Sequence, residues 1–197
     1  MCRLFETIHL NDGAFRNLNY HQVRIEKSVF ELFGVLPAWS IHDIVRQFKY
    51  PKTGLYKVRV IYNSKEVLRI EFLLYQPRHI ESLKVIEANI DYAHKYEDRE
   101  ALASLFEQRD NCDEILIVKD GFITDSSIAN LVFKKNKEWF TPTTFLLNGT
   151  MRAHLLNTGK IKLAEIRVED LSKYESCKTI NAMLGFDSPE IPIHAIR

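Results

Sequence analysis

The stretch DEILIVKDGFITDSSIANLVFKKNKEWFTP, residues 113–142, decides the fold. An apolar β-prone run, ILIV, meets a Lys-Asp-Gly turn and a short returning run, FIT. A second hairpin, NLVF to EWFTP, turns at Lys135-Asn136-Lys137. β-branched and aromatic residues bounded by Gly, Asn and Asp are the mark of antiparallel strand pairs. Between the hairpins, Asp125-Ser126-Ser127 follows directly on an apolar strand. Two readings are open there. Asp and Ser bond their own backbone in tight turns. A carboxylate so placed can also accept a hydrogen bond from a ring N–H.

Downstream, LLNGTMRAHLL (146–156) sets Asn148-Gly149-Thr150 just ahead of a short helix that ends at Gly159. The first N–H groups of a helix are unpaired and carry the positive end of its dipole. Gly149 lets a ligand come close to the backbone, so this turn suits a phosphate as well as simple capping. A charged helix, VEDLSKYES, and a strand, CKTINAML, are expected to follow.

Upstream, SLKVIEANI reads as a strand that stops before Lys95, and EDREALASLFEQR as an amphipathic helix with Leu102, Leu105 and Phe106 on one face. Lys95 is either a solvated connector or an amine aimed into a cleft, where His94 and Arg99 add positive potential. Two long strands, LYKVRVIYN and VLRIEFLLY, lie before it. Arg59 stands out in the first as a cation in a mostly apolar strand that needs a partner, either a cross-strand carboxylate or a substrate carboxylate. Nearer the N-terminus, LFETIHL leads to the hairpin signal Asn11-Asp12-Gly13, with AFRNL as the expected return strand. Tyr20 to Phe33 has helical spacing, with Val23, Ile25, Val29, Phe30, Leu32 and Phe33 as the apolar set and Gly34 as C-cap. His21 and Arg24 share a face of that helix. SIHDIVRQF is a second helix with Ser40 as N-cap.

Alternating strands and helices with frequent hairpins predict an α+β fold with mixed or antiparallel sheets. Pro77 marks the boundary between a small N-terminal lobe (1–78) and a larger C-terminal lobe (79–197). The chain has 197 residues, 46% hydrophobic and 27% charged, with a formal net charge of +1. That balance gives no field for nucleic acid or a membrane surface. No apolar run reaches the ~20 residues a membrane span needs, and MCRLFETIHL does not read as a signal peptide. A cytoplasmic protein is expected, with Cys2, Cys112 and Cys177 as reduced thiols. The seven histidines are scattered, so no metal site is expected. Phosphate-loop, dinucleotide, zinc-protease and serine-hydrolase motifs are absent.

Taken in order, LFETIHLNDG, YHQVRIEKS, HKYEDREAL, KDGFITDSSIANLVF, TPTTFLLNGTMRAHLL and CKTINAMLGF resemble the segments of the class IV aminotransferases, the pyridoxal-phosphate (PLP) enzymes of fold type IV. That group includes branched-chain and D-amino-acid aminotransferases and aminodeoxychorismate lyases. The resemblance covers nearly the whole chain. It implies a two-lobed enzyme with the cofactor in a cleft between the lobes, acting on a small amino-bearing carboxylate, and a homodimer. It implies Lys95 as the residue that joins the cofactor as a Schiff base and moves a proton at the substrate α-carbon. Arg24 would hold the phosphate, together with Gly149 and the backbone N–H groups of Thr150 and Met151. Asp125 would pair with the pyridine nitrogen. The chain departs from the family in a short start before the Phe-Glu-Thr run, and in Asp125 where Glu is usual. No tyrosine after Lys95 matches the one many members aim at the cofactor. Asn181 or Thr179 stands where a phosphate-binding threonine is found. Amino transfer between an amino acid and a 2-keto acid is the leading expectation. A lyase-type β-elimination releasing pyruvate and 4-aminobenzoate is the alternative, and a ligand-binding relative without turnover is the second.

Overall fold

The computed structural model describes residues 2–197 and divides into two units. The first runs to Pro77 and takes in His94–Asp98; the second holds Arg78–Ala93 and Arg99–Arg197.

The first unit is a four-stranded antiparallel sheet carrying two helices. Strand β1 (Leu4–Asn11) turns through Asp12 and Gly13, both at positive φ, into β2 (Ala14–Phe15). Two positive φ values make this the turn whose twist matches a hairpin. The expected return strand AFRNL pairs over only two residues, because helix α1 (Leu18–Phe33) starts at once. Gly34 ends α1 in the left-handed region, its N–H on the Phe30 carbonyl. Helix α2 (Ile41–Gln47) is capped by the Ser40 hydroxyl, which accepts from the His42 N–H. Strands β3 (Leu55–Tyr62) and β4 (Val67–Leu74) complete the order β2-β1-β3-β4.

The apolar face of α1 differs from the expected one. His21, Ile25, Ser28 and Val29 are buried, whereas Val23 and Phe30 are 63% and 58% exposed. Apolar residues lie on two faces of this helix. The face turned inward is the one whose His21 meets the buried Glu6 of β1. Leu4, Ile8, Leu10, Ile25, Val29, Val58 and Val60 form the core there.

The second unit holds two sheets, of three and five strands. Strand β5 (Leu83–Glu87) runs parallel to β6 (Glu114–Lys119), which pairs with β7 (Phe122–Ile123) across the Asp120-Gly121 turn. Helix α3 spans Glu100–Phe106 and continues as a 3-10 turn through Arg109. Strand β8 (Asn130–Lys135) and β9 (Glu138–Pro142) form the second hairpin, with Asn136 and Lys137 at positive φ. Helix α4 (Thr150–Asn157) leads to β10 (Lys162–Ala164), parallel to β9. Strands β11 (Ser176–Ile180) and β12 (Ile191–Pro192) close the order β10-β9-β8-β11-β12. The fold is α+β with antiparallel and mixed sheets, as the sequence predicts.

Three boundaries differ. Strand β5 ends at Glu87 instead of Ile90, because its partner β6 turns away just past the Glu87–Val118 pair. Helix α3 begins at Glu100 instead of Glu97, because the Glu97 N–H is taken by the Arg3 carbonyl. Residues Val168–Lys173 wind as a 3-10 helix, pinned at the start by the Val168 N–H on the Gly121 carbonyl.

Candidate active site

In the first unit, inward residues alternate along β1 as Leu4, Glu6, Ile8 and Leu10. Glu6 is thus a carboxylate in an apolar row, fully buried. A buried charge must be paired and hydrogen-bonded. Its partners come from one face of α1. Arg24 Nε donates to Glu6 Oε1 at 2.9 Å and Arg24 Nη2 to Oε2, a forked pairing. His21 Nδ1 lies 2.6 Å from Oε2. Burial alone would raise the Glu6 pKa, but Arg24 and His21 outweigh it and hold the carboxyl at about 2. Burial lowers the His21 pKa, against the pull of Glu6, so the neutral ring donates through Nδ1–H. His21 Nε2 is buried without a hydrogen-bond partner among the described residues.

Lys95 belongs to the same unit, though it follows Pro77 in the chain. Its carbonyl accepts from the Phe5 N–H at 2.9 Å, and Leu4 bridges to Tyr96. The lysine segment therefore lies along β1 as a short extra edge, not at the end of β5. The amine sits 4.6 Å from the centre of the Phe5 ring, and its charge helps to depress His21. Arg24 meets the carboxylate–imidazole pair directly, whereas the Lys95 amine lies against Phe5 of the same strand.

In the second unit, Asp125 follows β7 and is buried. Its Oδ2 accepts the N–H groups of Leu146 and Leu147 at 3.0 and 2.9 Å. Its Oδ1 accepts Asn130 Nδ2 at 2.7 Å, and the same amide donates to the Leu147 carbonyl at 2.8 Å. These neutral donors do not offset burial, which pushes the Asp125 pKa up to about 6. Asp125 and Asn130 therefore clamp the turn that leads into α4. At Gly149 a Cβ would lie 1.9 Å from Asn130 Oδ1, so no side chain fits there while that clamp is in place.

Gly149 caps α4 without any side-chain acceptor for the first N–H groups. Thr150 and Met151, the first two helical residues, are buried. The Thr150 hydroxyl oxygen is buried and has no hydrogen-bond partner among the described residues. Arg152 braces the same turn, donating to Thr141 Oγ1, Asn148 Oδ1 and the Pro142 carbonyl at 3.2, 3.3 and 2.9 Å. Asn181 closes its own turn: Oδ1 accepts the N–H groups of Met183 and Leu184, and Nδ2 donates to the Ile128 carbonyl.

Lys95 and Arg24 are thus placed in the first unit; Asp125, Gly149, Thr150, Met151 and Asn181 in the second. Sequence reasoning missed Glu6, Asn130 and Arg152. A signal for Glu6 was present, as an acid at an inward position of the alternating LFETIHL run. No group of three or more His, Cys, Asp or Glu among the described residues is arranged to hold a metal ion.

The residues fit PLP, the cofactor that the resemblance implies. An open helix N-terminus beside a buried, unpartnered hydroxyl offers donors to a phosphate. Asp125, a buried carboxylate with no cation among its hydrogen-bond partners, would gain from a protonated ring nitrogen.

Comparison with known proteins gives concordant results. A family model described as amino-transferase class IV matches residues 89–190. An uncharacterized protein of Haemophilus influenzae is 39% identical over 188 residues, covering 94% of this chain and all of the relative. A crystal structure from Haemophilus somnus 129PT, named a "putative 4-amino-4-deoxychorismate lyase", shares 38% identity at a TM-score of 0.89, covering 94% of this chain and 98% of that one. A Mesorhizobium loti structure named a "putative amino-acid aminotransferase" is 20% identical at a TM-score of 0.82, covering 100% and 99%, and shares the fold.

Proposed function

The chain belongs to the class IV aminotransferase family, and from that premise we propose that it is a PLP-dependent enzyme acting on a small amino-bearing carboxylate. The observation that carries this reading is the Glu6–His21–Arg24 cluster, in which a buried carboxylate holds an arginine by a fork, with the Lys95 amine in the same unit against Phe5 of the same strand. PLP, when bound, supplies the electron sink that makes a substrate α-proton acidic. Lys95 would hold the cofactor and carry the proton to and from the α-carbon. Arg24, fixed by Glu6, and the Thr150 hydroxyl with the N–H groups of Thr150 and Met151 would hold the phosphate. Asp125 would keep the ring nitrogen protonated.

Of the two reactions, we favour the lyase type, elimination from an aminodeoxychorismate-like substrate. The 38% identical relative carries that name, whereas the relative named an aminotransferase is 20% identical and supports the fold alone. Amino transfer is the second reading. It rests on the family as a whole.

Adding PLP is expected to give a visible absorption band, and borohydride to fix the cofactor to Lys95. Lys95→Ala should lose the adduct. A colourless protein after addition of PLP would sink the enzyme reading. Turnover of aminodeoxychorismate without a keto acid supports the lyase; turnover that requires 2-oxoglutarate or pyruvate supports amino transfer. A homodimer is expected in sedimentation.

A further inference from the structure

The face of the first-unit sheet opposite α1 carries a second group of charged residues, which the reading above does not use. Opposed residues of paired antiparallel strands share a face. Glu6 faces the helix, so its neighbours Phe5 and Thr7 face the other way. Phe5 pairs with Ile61 and Ile61 with Arg69; Thr7 pairs with Arg59 and Arg59 with Glu71. Arg59 and Arg69 therefore stand on the same face as Phe5.

Glu97 lies among three guanidinium groups. Its Oε1 is 3.8 Å from Arg59 Nη2 and 3.8 Å from Arg69 Nη2, and its Oε2 is 3.6 Å from Arg3 Nη1. These are ion pairs, but each is too long for a hydrogen bond. Glu71 also pairs with this group, 3.4 Å from Arg69 Nε. In these ion pairs of the described residues, three guanidinium groups thus share two carboxylates. Arg59 is the least satisfied: its Nε is buried without a hydrogen-bond partner among the described residues. Its guanidinium also lies 5.0 Å from the centre of the Phe5 ring, the ring that Lys95 Nζ approaches to 4.6 Å.

We propose that Arg59, with Arg69 beside it, binds a carboxylate of the substrate, and that Glu97 is the internal anion that holds the arginines in place and competes with that carboxylate. A guanidinium fork matches a carboxylate in two parallel bonds, which Glu97 at its present distance does not form. The shared Phe5 ring puts the amine of Lys95 and the fork of Arg59 within the span of one small molecule. The identification of the anion as substrate rests on the PLP-enzyme reading. The anion site itself does not.

The test is calorimetric titration of the PLP-treated protein with succinate, with the neutral succinamide as control. Wild type is expected to bind succinate and not succinamide. Arg59→Gln should weaken succinate at least about tenfold, the scale of one lost charge-assisted hydrogen-bonded pair. Arg59→Lys should recover part of the loss. Arg69→Gln, with a more exposed side chain, should cost about threefold. Glu97→Gln should move the other way and tighten succinate. The visible PLP band and the borohydride adduct should be the same in all four variants. Equal succinate affinity in wild type and Arg59→Gln, or no preference over succinamide, would overturn the proposal. Should Arg59→Gln fold poorly, Glu97→Gln decides: tighter succinate supports the site, unchanged or weaker succinate overturns it. Arginine-dependent succinate binding in a protein that takes up no PLP would leave the anion site standing and remove the enzyme reading.

Discussion

Glu6 and Asp125 are both buried carboxylates, one in each unit, and they stand at opposite ends of the carboxyl range, about 2 and about 6. Burial acts on both in the same direction. The partners differ. Glu6 faces a guanidinium and an imidazole; Asp125 faces two backbone N–H groups and an amide. Both kinds of donor favour the ionised form, but at Asp125 the neutral hydrogen bonds do not outweigh burial, whereas at Glu6 the paired charges do. In the first unit the buried carboxylate is paired by charge. In the second, Asp125 holds its turn with only neutral hydrogen-bond donors, and Arg152 acts on it at a distance without outweighing burial.

The sharpest way to break this contrast is Arg24→Ala. It strands a buried carboxylate and should cost about 3–5 kcal/mol in urea unfolding. Lost PLP binding in this variant would therefore not by itself report phosphate contact. A cost below about 1 kcal/mol would mean that Glu6 simply takes up a proton and that the ion pair is dispensable.

The pH dependence of the cofactor-free protein should separate the two carboxylates by sign. Glu6 is depressed, so its contribution is complete above the unfolded value of 4.5 and is lost as pH falls toward 2. The amount is on the order of 3 kcal/mol. Asp125 is raised, so the folded state holds the proton longer. Stability falls as pH rises from 3.8 to 6, by a similar order of 3 kcal/mol, and stays lost above that. Chemical unfolding at a series of pH values, with Glu6→Gln and Asp125→Asn as references, reads each separately. A wild-type minus Asp125→Asn difference that is flat from pH 4 to pH 6 would remove the contrast.

Smaller effects sharpen the account of the clamp. Asn130→Ala loses two hydrogen bonds and should cost about 1–3 kcal/mol. Gly149→Ala should cost about 1–3 kcal/mol through the overlap with Asn130 Oδ1. Because the overlap disappears with the amide, the double variant should cost less than the two single costs together. Strict additivity would show that Gly149 is required for another reason. Ser40→Ala, in the first unit but away from Glu6, should cost only about 1 kcal/mol and calibrates an ordinary cap.

The strands, the hairpin turns and the caps at Ser40 and Gly34 were legible because local chemistry decides them. Asn, Asp and Gly take positive φ, a hydroxyl caps a helix, and paired strands need β-branched residues. The inward face of α1 was not legible from apolar content, because Val23 and Phe30 look as core-like as Ile25 and Val29. A polar residue, His21, settled it by matching Glu6, fifteen positions away in a stretch of chain that periodicity does not connect. The end of β5 was hidden for a similar reason. It depends on where its partner turns, not on its own residues. Residue types at the candidate site could be named from order and spacing, but their partners could not. Nothing in the run of letters tells that Asn130 reaches both Asp125 and Leu147, or that Asn181 closes on its own turn.

The Lys95 segment has a second consequence. Strand β2 covers β1 only at Leu10 and Asn11, and the rest of that edge would present open backbone from an alternating, apolar strand. The Phe5 N–H on Lys95 and the Leu4–Tyr96 bridge close its far end. Such edges are where one chain adds to another in aggregation. The lysine segment is therefore also a guard rail for solubility. A substitution that loosens His94–Asp98 would be noticed first as precipitation during expression, before any assay of chemistry could be run.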